Sequence, residues 1–178
     1  MLNQFKNLSC YEEFEIQCAL IGISKVDILK AIGNRICNYY FFVSHDGIFN
    51  WFNLKGNHIE DPGVLKTIKE KHIPKTITKC IIPDSVTRIS EYAFYNCKSL
   101  KEVIIPDSVI YISKYAFASC YSLNEITIPN SVVRIDDWVF YRLSLKKVIF
   151  KGKTLEEVEH MNTFLFGIED ESIIKCEI

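Results

Sequence analysis

Ile82-Pro83-Asp84-Ser85-Val86 returns as Ile105-Pro106-Asp107-Ser108-Val109 and again as Ile128-Pro129-Asn130-Ser131-Val132, each copy 23 residues after the last. Behind each lies a second matched block: Ala93-Phe94-Tyr95-Asn96-Cys97, then Ala116-Phe117-Ala118-Ser119-Cys120, then Val139-Phe140-Tyr141-Arg142-Leu143. A third block closes the unit, as Leu100-Lys101-Glu102-Val103, Leu123-Asn124-Glu125-Ile126 and Leu145-Lys146-Lys147-Val148. The last copy is one residue short between Phe140 and Leu145. A weaker closing block, Ile77-Thr78-Lys79-Cys80-Ile81-Ile82, precedes the first.

A period in the low twenties with L-x-x-[apolar]-x-[apolar] in each unit is the mark of a leucine-rich repeat. Val103 and Ile105 point one way from a short strand, and Glu102 and Ile104 the other. Stacking such strands in parallel sets Cys80, Val103, Ile126 and Val148 in one buried row. Proline after each strand withholds an amide donor and ends the ladder. The chain then returns through Val109, Ile112, Ala116 and Phe117, which fill the core from the convex side. One unit cannot close its own core, whereas a stack can.

Units of the form I-P-x-S-V-x-x-I-x-x-x-A-F-x-x-C-x-x-L resemble the BspA-like class of leucine-rich repeats, from about Ile73 to Ile178. The tail Val148 to Val158, with the later Gly167-Ile168-Glu169-Asp170 and Ile173-Ile174-Lys175-Cys176, resembles the segment that caps such arrays. The resemblance implies a binding scaffold with no catalytic residues to carry over. Many members are secreted, and here no leader precedes Glu12-Glu13. Thr154 and Glu157 have the spacing of a capping box, which predicts a short helix over 155–161. A strand over 172–177 would then cover the last open edge.

Residues 1–60 do not repeat. Ser9-x-x-Glu12 opens a helix running to about Leu20, and Ser24 caps a second, Lys25 to Ile32, which Gly33 ends. Ile36 to Val43 and Ile48 to Leu54 flank Ser44-His45-Asp46-Gly47, a hairpin turn with Asp-Gly at its heart. After Asp61-Pro62 a helix is expected over 63–71. The fold class that results is α+β: a short leucine-rich-repeat solenoid with a parallel β-sheet, preceded by a small helix-helix-hairpin domain. Its divisions are 1–60, an amino-terminal domain or cap; 61–76, a linking segment and first capping turn; 77–150, the repeats; and 151–178, a capping helix and strand.

Composition narrows the function. Hydrophobic residues at 48% and aromatics at 13% exclude a disordered chain. Formal net charge is −1, so no global basic field draws in nucleic acid or an anionic membrane. The amino terminus has no signal-peptide apolar region, and the densest apolar run, Tyr39 to Val43, is too short to span a bilayer. Seven scattered cysteines, an odd number without a C-x-x-C pair, suit neither a disulfide framework nor a zinc site. They read as reduced and mostly buried, in a cytoplasmic protein. No phosphate-binding, dinucleotide-binding, zinc-protease or nucleophile-elbow motif occurs. Cys97 and Cys120 recur at one repeat position as rungs of a buried ladder, not as nucleophiles. Glu12, Glu13 and Glu15, and likewise Glu156, Glu157 and Glu159, sit in first turns of helices, where negative charge suits the dipole. Catalytic, cofactor-binding and metal-binding residues are therefore expected to be none.

Two surfaces recur in register. On the outward side of the parallel strands stand Lys79 and Ile81, Glu102 and Ile104, Glu125 and Thr127, Lys147 and Ile149. With strands ~4.8 Å apart, Lys79 faces Glu102 and Glu125 faces Lys147. The other surface is the column Tyr92, Tyr115 and Trp138, thickened by Tyr95, Tyr121 and Tyr141. Trp138, the largest ring, is the foremost candidate anchor. The leading expectation is a non-catalytic module that binds a protein partner of unknown identity, as an adaptor or as an inhibitor that occludes the partner. A phage or other mobile element would be a natural setting. A second reading takes Cys18 to Ile28 as resembling the turn of a winged helix-turn-helix, with Lys25, Lys30 and Arg35 toward DNA. Five basic against seven acidic side chains over residues 1–61 weigh against it. A third is a self-assembling structural protein, and homo-oligomerisation is left open.

Overall fold

The computed structural model describes residues 18–20, 22–32, 34–36, 39–44, 47–55, 57–161 and 165–178. The helix expected to open at Ser9 lies outside them except for its end, residues 18–20, which are helical. α1 (Lys25–Ile32) starts where the Ser24 carbonyl accepts from Asp27 and Ile28 N–H. It buries Ile28 and Leu29, and it packs against β2. β1 (Asn34–Ile36), β2 (Tyr39–Val43), β3 (Phe49–Asn53) and β4 (His58–Ile59) form an antiparallel sheet in that order. The single strand expected from Ile36 to Val43 is thus two, since β1 ends at Ile36 and returns along β2.

Alternation in the hairpin explains its two faces. Phe41 and Val43 lie opposite Trp51 and Phe49, and all four belong to the core of the repeats. Phe42 and Phe52 lie on the other face, stacked at 5.7 Å. At the turn the Gly47 carbonyl accepts from Ile81 N–H at 2.9 Å. The aromatic sheet thereby closes the first rung of the stack.

The repeats build two parallel rows. One contains the short strands β5 (Thr67–Ile68), β7 (Arg88–Ile89), β9 (Tyr111–Ile112) and β11 (Arg134–Ile135). The other contains β6 (Lys79–Ile81), β8 (Glu102–Ile104), β10 (Glu125–Ile128) and β12 (Lys147–Lys151). Between the rows lie the ladders Val86–Val109–Val132, Ile89–Ile112–Ile135 and Phe94–Phe117–Phe140, each side chain at most 2% exposed. Cys80, Val103, Ile126 and Val148 form the buried row that the alternation demands. The β6 row divides into the pair β6–β8 and the trio β10–β12–β13. The division falls where Glu102 and Glu125 would stand opposite, and like charges there disfavour close pairing.

Two features depart from the expected elements. Residues 63–71 are not a helix: β5 pairs with β7, and a 3-10 turn, Glu70–His72, follows. Leu65 and Ile68 have the i, i+3 spacing of a helix face, but Val86 and Ile89 share it, and the two pairs occupy equivalent positions on successive rungs. The Asp61 carboxylate accepts from Gly63 N–H at 2.9 Å, closing a turn in place of a helix cap. The segment between sheet and repeats is therefore itself a rung. Each repeat also turns through left-handed backbone twice, at Tyr92, Tyr115 and Trp138 and again at Asn96, Ser119 and Arg142.

At the far end, α2 (Leu155–Met161) begins with the expected box: Thr154 N–H donates to Glu157 Oε2 at 2.7 Å, and Glu157 N–H to Thr154 Oγ1 at 3.2 Å. Donation from the Thr154 N–H and from its hydroxyl, the latter at 3.2 Å, holds the Glu157 carboxyl below its usual range. Phe166, fully buried at φ +61, accepts from Phe140 N–H and covers the phenylalanine ladder. β13 (Ile174–Glu177) pairs in parallel with β12.

Candidate functional site

Because each repeat presents the same positions outward, the surface is a set of columns. On the β6 row, Lys79 meets Glu102 at 3.1 Å and Lys147 meets Glu125 at 3.9 Å, as the register requires. All four side chains are well exposed, so each pair contributes ~1 kcal/mol at most. Ile81 and Ile104 stand side by side and exposed. Ile149, expected beside them, is instead buried, since β12 lies between Thr127 on β10 and Lys175 on β13. Thr127 is half-buried. The apolar part of this face thus shrinks to Ile81 and Ile104.

The aromatic column is larger and continuous. Tyr92 stacks on Tyr115 at 5.3 Å, and Tyr95 meets Tyr92 edge-on at 5.4 Å. Tyr141 bridges Tyr115 at 6.3 Å and Trp138 at 5.5 Å. Tyr92, Tyr95, Trp138 and Tyr141 remain 37–40% exposed, so neighbouring rings cover one another without burying the patch. Tyr121 is exposed at 49%, without a ring contact to the five.

The backbone under this patch bears on its purpose. Tyr92, Tyr115 and Trp138 hold φ of +58°, +56° and +59°. A residue with a Cβ pays roughly 1 kcal/mol there, and glycine or asparagine is the usual occupant. Three large aromatics stand where the backbone prefers none of them. Turn geometry does not account for them; stacking and exposed ring area do.

A third column escaped the sequence reading. Arg88, Tyr111 and Arg134 point outward from β7, β9 and β11, with the Arg88 and Arg134 guanidinium carbons 4.5 and 5.0 Å from the Tyr111 ring centre. Tyr111 Oη donates to Asp136, whose other oxygen takes Arg134 Nε at 3.1 Å. Burial and that hydrogen bond raise the Tyr111 pKa, which keeps the phenol neutral. The signal was available: in S-V-x-[RY]-I the residue before each buried isoleucine is one that can stack.

The buried reactive groups are structural. Burial raises the thiols of Cys97 to about 11 and Cys120 to about 12, and raises Cys80 as well, so they stay protonated. Among the described residues no group of three or more His, Cys, Asp or Glu could hold a metal ion. No helix among them is long and apolar enough to cross a membrane.

His72 sits where sheet and stack meet, 4% exposed, its ring edge-on to Phe41 at 5.3 Å and its Nδ1 accepting from Lys69 N–H at 3.2 Å. Burial, with Lys71 and Lys69 nearby, lowers its pKa to about 4. Between that value and the ordinary 6.5 the unfolded chain binds a proton that the folded chain refuses. Stability should therefore fall as pH drops from 6.5 to 4, by ~3 kcal/mol. Urea midpoints across that range should show the loss, and His72→Gln should remove it.

Two parallel rows of short strands around stacked aliphatic and phenylalanine ladders define a leucine-rich-repeat protein. Residues 46–168 match the BspA type Leucine rich repeat region in six copies, and the chain belongs to that family. The match begins earlier than Ile73, taking in the hairpin turn and β5. Among solved structures, a leucine-rich repeat protein from Bacteroides capillosus ATCC 29799 is 29% identical, with a TM-score of 0.49, over 67% of this chain and 99% of its own. A leucine rich cell surface protein from Faecalibacterium prausnitzii A2-165 is 20% identical, with a TM-score of 0.50, over 81% of this chain and 39% of its own. Among curated proteins, none matches. Repeats of this class generally mediate protein–protein interaction.

Proposed function

We propose that the protein is a non-catalytic binding module: a short solenoid, capped by the helix-and-hairpin segment, that captures a protein through its aromatic patch. The carrying observation is the five-ring surface of Tyr92, Tyr95, Tyr115, Trp138 and Tyr141, held outward at a backbone cost. Aromatic rings add contact area at low entropy cost and dominate interface energetics. The rival strand face offers only Ile81 and Ile104 between neutralised charges. The DNA-reading alternative loses ground because Gly47, at the turn a wing would extend toward a groove, is pressed against β6. Buried thiols at repeat positions suit a reducing compartment, so the proposal keeps a cytoplasmic location. With no catalytic machinery in view, the module acts by recruiting its partner or by occluding it.

Glycine is the informative replacement, because it removes the ring and eases the positive φ together. Trp138→Gly should weaken partner capture by ~2 kcal/mol, about 30-fold, with far-UV circular dichroism unchanged. Ile104→Asp should leave capture intact. If Ile104→Asp abolishes capture and Trp138→Gly does not, the partner sits on the strand face and the patch reading fails.

A further inference from the structure

Between the aromatic patch and the Arg88–Tyr111–Arg134 column runs an open groove of about 650 Å³. Hydroxyls from Thr67, Ser90 and Ser113 line it, and Lys69, Arg88 and Lys114 reach it from successive rungs. Arg134 is neutralised by Asp136, which also takes the Tyr111 hydroxyl. Arg88 is in a different position. Its guanidinium rests on the Tyr111 ring and, among the described residues, forms no ion pair. Lys69 and Lys114 form none either, and Glu91 is the groove's one carboxylate outside an ion pair. Three cations therefore stand against one anion in a groove whose remaining lining is mostly hydroxyl.

We propose that this groove receives an acidic segment of a protein partner, with Arg88 as the receptor for a carboxylate. The inference deepens the protein-binding reading and rests on it for the nature of the occupant. A guanidinium already held over an aromatic ring, its central carbon 4.5 Å from the Tyr111 ring centre, has lost much of its rotamer freedom, so less is lost when it grips a ligand. Its fork matches a carboxylate with two parallel hydrogen bonds, which a lysine cannot supply. The Ser90 hydroxyl, whose donation to the Glu91 carbonyl is long at 3.5 Å, can turn to a second carboxylate or to the peptide backbone. A nucleic acid would need a longer row of cations than three, on a chain whose net charge is −1. The groove also adjoins the aromatic patch through Lys114, whose ammonium lies 5.0 Å over Tyr115. One partner can thus place apolar side chains on the rings and acidic ones in the groove.

The test is a nitrogen-15 NMR titration of the full chain with acetylated hexaglutamate, with hexaglutamine and inorganic phosphate at matched ionic strength as controls. Hexaglutamate should shift the amides of Arg88, Ser90, Ser113 and Lys114 saturably, and hexaglutamine should not. Arg88→Gln should weaken binding at least about tenfold, Arg88→Lys should fall between, and Lys101→Gln should match the native chain. Hexaglutamate carries no apolar group, so its binding reads the groove apart from the aromatic patch. Equal binding by Arg88→Gln and the native chain would overturn the assignment. So would phosphate producing the same shifts at the same concentration, or duplex DNA displacing the peptide at 150 mM salt, an ordinary ionic strength for such contacts.

Discussion

Phe117→Ala should lower the free energy of unfolding by ~3–5 kcal/mol and the melting temperature by on the order of 10 °C. Phe117 is fully buried in the middle rung, stacked at 4.9 Å on Phe94 and 6.2 Å from Phe140. Phe117 and its neighbours are held by hydrogen bonds between turns of successive rungs, Phe94 N–H to Ala116 O and Phe117 N–H to Val139 O. They have little freedom to close the hole, so the cavity term adds in full to the lost transfer free energy. In a stack each rung is covered only by its neighbours, and a hole in the middle exposes both halves. Thermal melts of the two proteins decide the matter. An unmoved melting temperature would mean that the repeat register is wrong.

Gly47→Ala is the second large effect, and it acts at the joint between sheet and stack. A methyl there would lie 2.2 Å from the Lys79 carbonyl oxygen, 2.5 Å from its carbon and 2.7 Å from Cys80 Cα, all of them backbone. Gly47 also holds φ +83°, where a side chain is strained. Relief requires the hairpin to leave β6, which breaks the hydrogen bond from Ile81 N–H and opens the cover over Cys80. The combined cost is ~3 kcal/mol or more. Gly63→Ala is the control: its φ is +67° but no atom stands within 4 Å, so only the backbone term of about 1 kcal/mol applies. Hydrogen exchange at Ile81 should quicken in the first variant and not in the second. Equal behaviour of the two would mean that the hairpin is not docked.

How much of this could be read from residues varies by position. The rungs from Cys80 to Val148 were legible because near-identical blocks recur at one interval, which sets inward and outward sides without reference to tertiary structure. The Thr154–Glu157 cap was legible because its partners are three residues apart. β5 was not, because Leu65-x-x-Ile68 is as good a helix face as it is a rung, and only pairing with Arg88 and Ile89 distinguishes them. Nor could the left-handed turns at Tyr92, Tyr115 and Trp138 be seen. A positive φ is ordinarily announced by glycine, and no glycine stands at these positions. Ile149 was misplaced because its burial depends on β13, a strand that arrives from the chain's last residues. The Arg88–Tyr111–Arg134 column was visible as a pattern, but its meaning depends on rings and guanidiniums lying one rung apart.

Site-specific photocrosslinking examines the proposed binding surface most directly. Benzoylphenylalanine placed at Tyr141, the ring that joins Tyr115 to Trp138, replaces one aromatic by another and leaves the backbone of the positive-φ positions alone. A second chain carries it at Ile104. Irradiated in extract of the native host, the Tyr141 chain should form one discrete protein adduct, and the Ile104 chain should form none. An adduct from Ile104 with none from Tyr141 would contradict the account.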